Sequence, residues 1–228
     1  MSLSTLRRQI ISCQRCPRLR AYCARVAREK RAAFRDDIYW GRPVPGFGDR
    51  RARVLILGLA PAAHGANRTG RVFTGDRSGD FLMCAMHGTG FANMPTAQHA
   101  KDGLKLSDAY ISAVVRCAPP ENKPTPKEIR SCQPHLEAEL DLLTRVRVVV
   151  ALGKVAFDAY WRLMAERGIV PRPKPRFAHG VVVGADDAST RVPALIASYH
   201  PSQQNTNTGK LTSAMLADVF KKARRLRD

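Results

Sequence analysis

Two short apolar runs stand out along the chain, Val54-Leu55-Ile56-Leu57 and Val148-Val149-Val150-Ala151-Leu152. Neither alternates with polar residues, so each reads as a strand buried on both faces. Weaker strand patterns cover Tyr110 to Val115 and Pro193 to Ser198. Helical spacing lies between them. The clearest helix begins at Thr125-Pro126: Thr125 suits the N-cap, Pro126 the first helical position, and Glu128 completes a capping box. It is predicted to run to about Leu143, with Ile129, Leu136, Leu140 and Leu143 on one face. Further helices are expected over Lys154 to Met164 and over 210–226. The last puts Leu211, Met215, Leu216, Val219 and Phe220 on its apolar side, with Lys221, Lys222, Arg224 and Arg225 mostly outside it. Strands alternating with helices predict a parallel sheet covered on both faces. Ligands of such sheets bind at the carboxyl ends of the strands, here the segments after Leu57, Val115 and Ser198.

Composition narrows the class. The 228 residues, read as a single domain over 1–228, are 44% hydrophobic and 25% charged, which argues against a disordered or fibrous chain. The longest apolar run is far too short to cross a bilayer, and the first ten residues carry no secretory pattern. A cytoplasmic protein without membrane partners is expected. Charge is the unusual feature: 28 Arg and 10 Lys against 19 acidic residues give a net +19. The basic residues are spread along the chain and favour a polyanionic partner, because neutralising phosphates releases condensed counterions.

The strand ends carry the unusual local chemistry. After the first strand comes the small-residue segment from Gly58 through Pro61, His64, Asn67 and Phe73 to Asp76, which lets backbone amides approach a ligand. It is neither a Walker phosphate loop nor a dinucleotide fingerprint. After the last strand comes Tyr199-His200-Pro201-Ser202-Gln203-Gln204-Asn205-Thr206, one imidazole beside neutral hydrogen-bonding groups. Six cysteines in a chain expected to be reduced point to metal or catalysis before disulfides. Cys13 and Cys16 form a two-residue-spaced pair, Cys117 follows the second weak strand, and Cys132 lies in the capped helix. Four thiolates suit zinc and an iron–sulfur cluster equally by ligand type. Cys23 and Cys84 read as inert thiols, with Cys23 a competitor as ligand. Pro171 to Pro175 is the best candidate for a long surface loop.

Taken together, Gly58 to Gly65, Asn67 to Asp76, Val115-Arg116-Cys117-Ala118-Pro119-Pro120 and His200 to Thr212 resemble the uracil-DNA glycosylase superfamily, in its iron–sulfur family 5. The resemblance implies a three-layer α/β/α fold around a four-stranded parallel sheet. It also implies a [4Fe-4S] cluster on Cys13, Cys16, Cys117 and Cys132, and a monomer acting on DNA that contains uracil or other deaminated bases. The implied reaction hydrolyses the N-glycosidic bond of an extruded nucleotide and leaves an abasic site.

That reaction makes the sugar cationic and leaves the base anionic, so the site must stabilise both charges. On the resemblance, His200 is the expected donor to uracil O2, and Asp76 positions or activates water and favours the cationic sugar. Asn122 completes the catalytic set, although Asn is also a common turn residue. Gly58, Leu59, Ala60 and Ala62 would hold the base through the backbone, Phe73 would stack on it, and Asn205 would bond base or water. Asp76 has a second reading, as a cap for the helix that follows it. Two positions depart from the related family 4, which has an acid in place of Leu59 and a base-reading Asn in place of Ala113. Losing them predicts looser base selectivity, extending to hypoxanthine. The competing classes are a basic metal-binding module that recognises nucleic acid without chemistry, and an electron-transfer protein built on the cluster. The first gives no reason for Asp76 or for the polar loop at His200, and no dinucleotide or flavin fingerprint supports the second.

Overall fold

The computed structural model describes residues 1–169, 175–184 and 192–228. Pro171 to Lys174, most of the expected proline-rich loop, lie outside them. Four five-residue strands are buried at every position: β2 (Val54–Gly58), β3 (Ala109–Ala113), β4 (Val148–Leu152) and β6 (Ala194–Ser198). They run parallel in the order β3-β2-β4-β6. The expectation of a four-stranded parallel sheet is corrected at its edges. Two-residue strands β1 (Phe47–Gly48) and β5 (Val182–Val183) pair antiparallel with β3 and β6, giving a mixed sheet of six strands. Both edge strands are half-buried and too short to leave a periodic pattern in the sequence.

Alternate side chains of each strand enter opposite layers. Leu55, Leu57, Val149, Ala151, Leu195 and Ala197 pack with α2 (Pro17–Glu29), α5 (Pro126–Leu142) and α6 (Lys154–Glu166). Val54, Ile56, Val148, Val150 and Ile196 pack with α4 (Arg77–Gly88) and α8 (Ser213–Leu226). The short α3 (Ala66–Thr69) and α7 (Gln203–Asn207) follow β2 and β6, and α1 (Leu3–Ile11) lies against α5. The expected capping box is present: Glu128 N–H donates to Thr125 Oγ1 at 3.2 Å, and Thr125 N–H donates to Glu128 Oε2 at 2.8 Å. The last helix starts later than its apolar pattern suggests, because Thr212 caps it and Leu211 is buried ahead of it. Among the described residues no helix is long and apolar enough to cross a membrane.

One ionic group is sealed inside this framework. Arg116, just past β3, and Glu139 on α5 are each 1% exposed and pair at 2.5 Å. Ser112 Oγ donates to the same carboxylate oxygen, and Gly46 N–H donates to the other at 3.3 Å. The pair ties β3 to α5 and stands behind the cysteine-bearing segment.

Candidate active site

Three loops leave the carboxyl ends of β2, β3 and β6 and meet around a cavity of about 330 Å³. Its walls include Leu59, Ala60, Ala62, Phe73, Asp76, Asn122 and His200. The site thus lies where the chain order reverses across the sheet. Gly58 is buried beneath it: a β-carbon there would fall 2.7 Å from Phe73 Cε2, so the aromatic ring needs a glycine at that point. Asn205 does not line the cavity. Its Nδ2 donates to the His200 carbonyl at 2.8 Å, so it shapes the turn that presents the imidazole.

Phe73 is held in a left-handed conformation, φ +48°, next to a rigid lock. Arg71 grips Asp102 with two hydrogen bonds of 2.9 and 2.6 Å and donates to Thr74 Oγ1 at 2.9 Å. Burial raises the Asp102 carboxyl, but Arg71 and backbone N–H groups outweigh it and hold it well below the usual carboxylate range. Glu121 and Asn122 are also left-handed, at φ +51° and +57°. Strained non-glycine residues of this kind cost about 1–3 kcal/mol each and cluster where function demands the geometry. Phe73 and His200 approach with ring centroids 5.9 Å apart.

Asp76 caps α4, the second of its two sequence readings, and it also lines the cavity. Gly79 N–H donates to its Oδ1 at 2.9 Å, while Oδ2 is directed over Gly65. Burial pushes its carboxyl above the ordinary value, against the lowering pull of the Gly79 and Ser78 N–H groups and of Arg68. Burial also pushes His200 down to about 4, so its imidazole is neutral at physiological pH. A β-carbon on Gly65 would overlap Asp76 Oδ2. Gly65→Ala is therefore expected to displace the carboxylate and lower single-turnover excision about 10²-fold, the scale of a 1 Å misplacement. Affinity for a duplex carrying an uncleavable analogue should stay within a few-fold. An unchanged rate would show that Asp76 need not sit over Gly65.

A wider groove of about 760 Å³ adjoins the cavity and shares Ala62, Asp76, Glu121 and Asn122 with it. Arg31, Arg68, Arg77, His64, Gln98 and Gln203 contribute polar walls. His64 is braced by Tyr39, whose hydroxyl lies 3.0 Å from Nδ1, and Arg68 Nε donates to its carbonyl at 2.8 Å. Sequence reasoning passed over Glu121 and these arginines. In the groove Asp76, Asp80 and Glu121 face three arginines, so it is polar and of mixed charge, and a small cavity opening into it suits one extruded unit of a longer strand.

Comparison with known proteins decides the family. The sequence model of the "Uracil DNA glycosylase superfamily" matches residues 45–224. The chain is 52% identical over 226 residues to the type-5 uracil-DNA glycosylase of Mycobacterium tuberculosis, covering 99% of this chain and 82% of that one. It is 49% identical over 220 residues to the type-5 enzyme of Thermus thermophilus, covering 95% and 94%. To that of Pyrobaculum aerophilum it is 45% identical over 215 residues, covering 94% and 89%. The chain belongs to the type-5 uracil-DNA glycosylases.

In this type-5 chain the four expected cluster ligands come from separate elements. Cys13 follows α1, Cys16 caps the start of α2, Cys117 follows β3, and Cys132 lies in α5. All four line one narrow space of about 10 Å³. Among the described residues no three His, Cys, Asp or Glu side chains are gathered so as to hold a single metal ion. The thiols thus ring a space and do not converge on a point. Burial pushes the Cys132 thiol up to about 12. Cys23, buried, shares a hydrogen bond with Cys117 that pushes the Cys117 thiol up, and Cys84 is exposed on α4. Buried nitrogens without partners cluster beside this space: Arg20 Nε, Arg116 Nε and Nη1, and His135 Nε2 all belong to residues that line it.

Proposed function

We propose that this protein excises uracil from DNA by hydrolysing the N-glycosidic bond of an extruded nucleotide, leaving an abasic site. The observation that carries the reading is the convergence of Asp76, Asn122 and His200 around Phe73 in one cavity of about 330 Å³. A flipped base enters this cavity and Phe73 stacks on it. The neutral His200 donates to the O2 of uracil as negative charge builds there. A neutral donor suits a leaving group whose anion is only weakly basic, and it needs no ion to be desolvated first. Asp76 uses one oxygen for the helix and keeps the other for water; its charge also favours the cationic sugar. Asn122 holds the water or the base edge from the facing loop. A module that only binds nucleic acid has no use for a desolvated carboxylate oxygen and a neutral imidazole lining one cavity.

Selectivity follows from what the walls lack. Leu59 and Ala113 both line the cavity, and neither presents a side-chain donor or acceptor to the base. Shape and backbone contacts then dominate, so other deaminated bases, hypoxanthine included, are substrates too. The decisive measurement uses an end-labelled U·G duplex with and without alkali. Cleavage at the uracil that requires alkali is expected; no cleavage by protein with its cysteine site loaded would sink the proposal. On an inosine-containing duplex, slower but clear alkali-dependent cleavage is expected, and its absence would return the site to strict uracil selectivity.

The four cysteines ringing this space suit a [4Fe-4S] cluster on Cys13, Cys16, Cys117 and Cys132, which would spread the thiols apart, because the gap between them, about 10 Å³, is smaller than the cluster. The fit rests on four thiols ringing a space together with orphaned N–H groups that need an anionic acceptor. Bound there, the cluster supplies a cross-link between the α1–α2 segment and the β3–α5 region. Arg15 already bridges these segments weakly, Nη1 donating to the Ser131 carbonyl at 3.5 Å.

A further inference from the structure

The buried nitrogens beside the cysteines assign a role to three residues that the reaction itself leaves unexplained. Arg116 is 1% exposed, and only one of its terminal nitrogens is used, on Glu139. Nε and Nη1 have no partner, although each is sealed from water. Arg20 repeats the pattern: Nη1 donates to the Gly41 carbonyl at 3.2 Å while the buried Nε has no partner. His135, one turn along α5 from Cys132, leaves Nε2 unpaired. An unsatisfied buried donor costs about 1–3 kcal/mol, and more when charged, so such atoms are rarely left idle. Here they fall on three residues lining one space, and that space is walled by four cysteines.

We propose that Arg20, Arg116 and His135, the last with its imidazole proton on Nε2, donate N–H groups to the sulfur atoms of the cluster and thereby set both its retention and its reduction potential. The inference rests on the cluster reading given above. A cluster held by four thiolates carries net negative charge, and burying it without donors would be costly. The Arg116–Glu139 pair meets this need without importing a full uncompensated cation. Glu139 balances the guanidinium and is itself held by Ser112 and Gly46, while Nε and Nη1 of Arg116 keep their N–H groups uncommitted. The Arg116 backbone takes part as well, its N–H donating to Cys132 Sγ at 3.3 Å. Arg20, on α2, lines the same space as Cys117. Donation to sulfur favours the more negative, reduced state, so these groups raise the potential.

The test uses holoprotein purified without oxygen: wild type, Arg20→Gln, Arg116→Lys and Glu139→Gln. Iron and sulfide per chain, midpoint potential by film voltammetry, and the rate of bleaching under a chelator are measured, with circular dichroism as the control for fold. Arg20→Gln and Arg116→Lys should load iron, lower the potential and bleach several-fold faster. Glu139→Gln should shift the potential upwards, because the Arg116 charge then acts on the cluster unbalanced. Shifts of opposite sign are not what a general loosening would produce. Iron-loaded arginine variants with wild-type potential and bleaching would overturn the proposal, as would a downward shift in Glu139→Gln. If Arg116→Lys does not fold, Arg20→Gln, on a half-buried residue, decides alone. Wild type holding zinc, or no iron, would instead defeat the cluster reading, and the metal analysis makes that distinction directly.

Discussion

Replacing Asp76 with Asn is expected to slow uracil excision by about 10²–10⁴-fold, the usual worth of a positioned general base. The substitution isolates the chemistry because Asn is as good a helix N-cap as Asp, so the bond from Gly79 N–H survives. The pH dependence should identify the group. Burial raises the Asp76 carboxyl above its ordinary value, so the wild-type single-turnover rate should climb with pH to a higher plateau point than a solvated carboxylate would give. Stability should move the other way. A carboxyl whose folded pKa lies above its unfolded one costs nothing below the unfolded value, and its cost grows as pH rises through the folded value. Asp76→Asn should therefore melt at or above the wild-type temperature at neutral pH, with the difference vanishing in acid. A variant that melts well below wild type would mean that the carboxylate is held for stability. A variant with wild-type excision would remove Asp76 from the mechanism.

The central fold was legible because burial on both faces writes itself into the sequence as uninterrupted apolar runs. Val148 to Leu152 coincides with β4, and Val54 to Leu57 falls within β2. The weaker pattern at Tyr110 to Val115 overran β3 by two residues, since Val114 and Val115 are buried and bond back to Gly58 and Leu59 beyond the strand. The edges were not legible. Phe47–Gly48 and Val182–Val183 are two residues each, and pairing that short depends on the neighbouring strand more than on local pattern.

The site was legible at the level of which segments meet, because ligands gather where parallel strands end. How each side chain is spent was not. Asp76 as a cap and Asp76 in the cavity looked like rival readings, yet the carboxylate has two oxygens and the fold uses one for the cap. Asn205 looked like a base contact, and its amide instead holds the His200 turn. The Arg116–Glu139 pair did leave a signal. Glu139 falls three residues after Leu136 and four before Leu143, on the apolar face of the α5 pattern, where a carboxylate requires a buried partner. No local feature says that the partner is the arginine ahead of Cys117, since that match is made only when α5 packs on the sheet.

Glu139→Ala is accordingly expected to be the most damaging single change in the framework, costing about 3–5 kcal/mol, the usual price of stranding one half of a buried ion pair. The loss has several parts. Arg116 keeps its charge at 1% exposure with no counter-ion, Ser112 loses its acceptor, and Gly46 N–H loses its own. Tyr110 sits against the same carboxylate, and a β-carbon on Gly46 would collide with both, so the neighbourhood is too tightly packed to admit water freely. Because Ser112 belongs to β3, the disturbance should reach the loop that carries Asn122. Glu139→Gln keeps one acceptor oxygen, enough for Ser112 or for Gly46 but not for both, since the two use different carboxylate oxygens, and should cost less than Glu139→Ala. Denaturant unfolding of the loaded proteins checks the order wild type, Gln variant, Ala variant. Equal stability of the Ala variant and wild type would mean that Arg116 finds another partner for its charge.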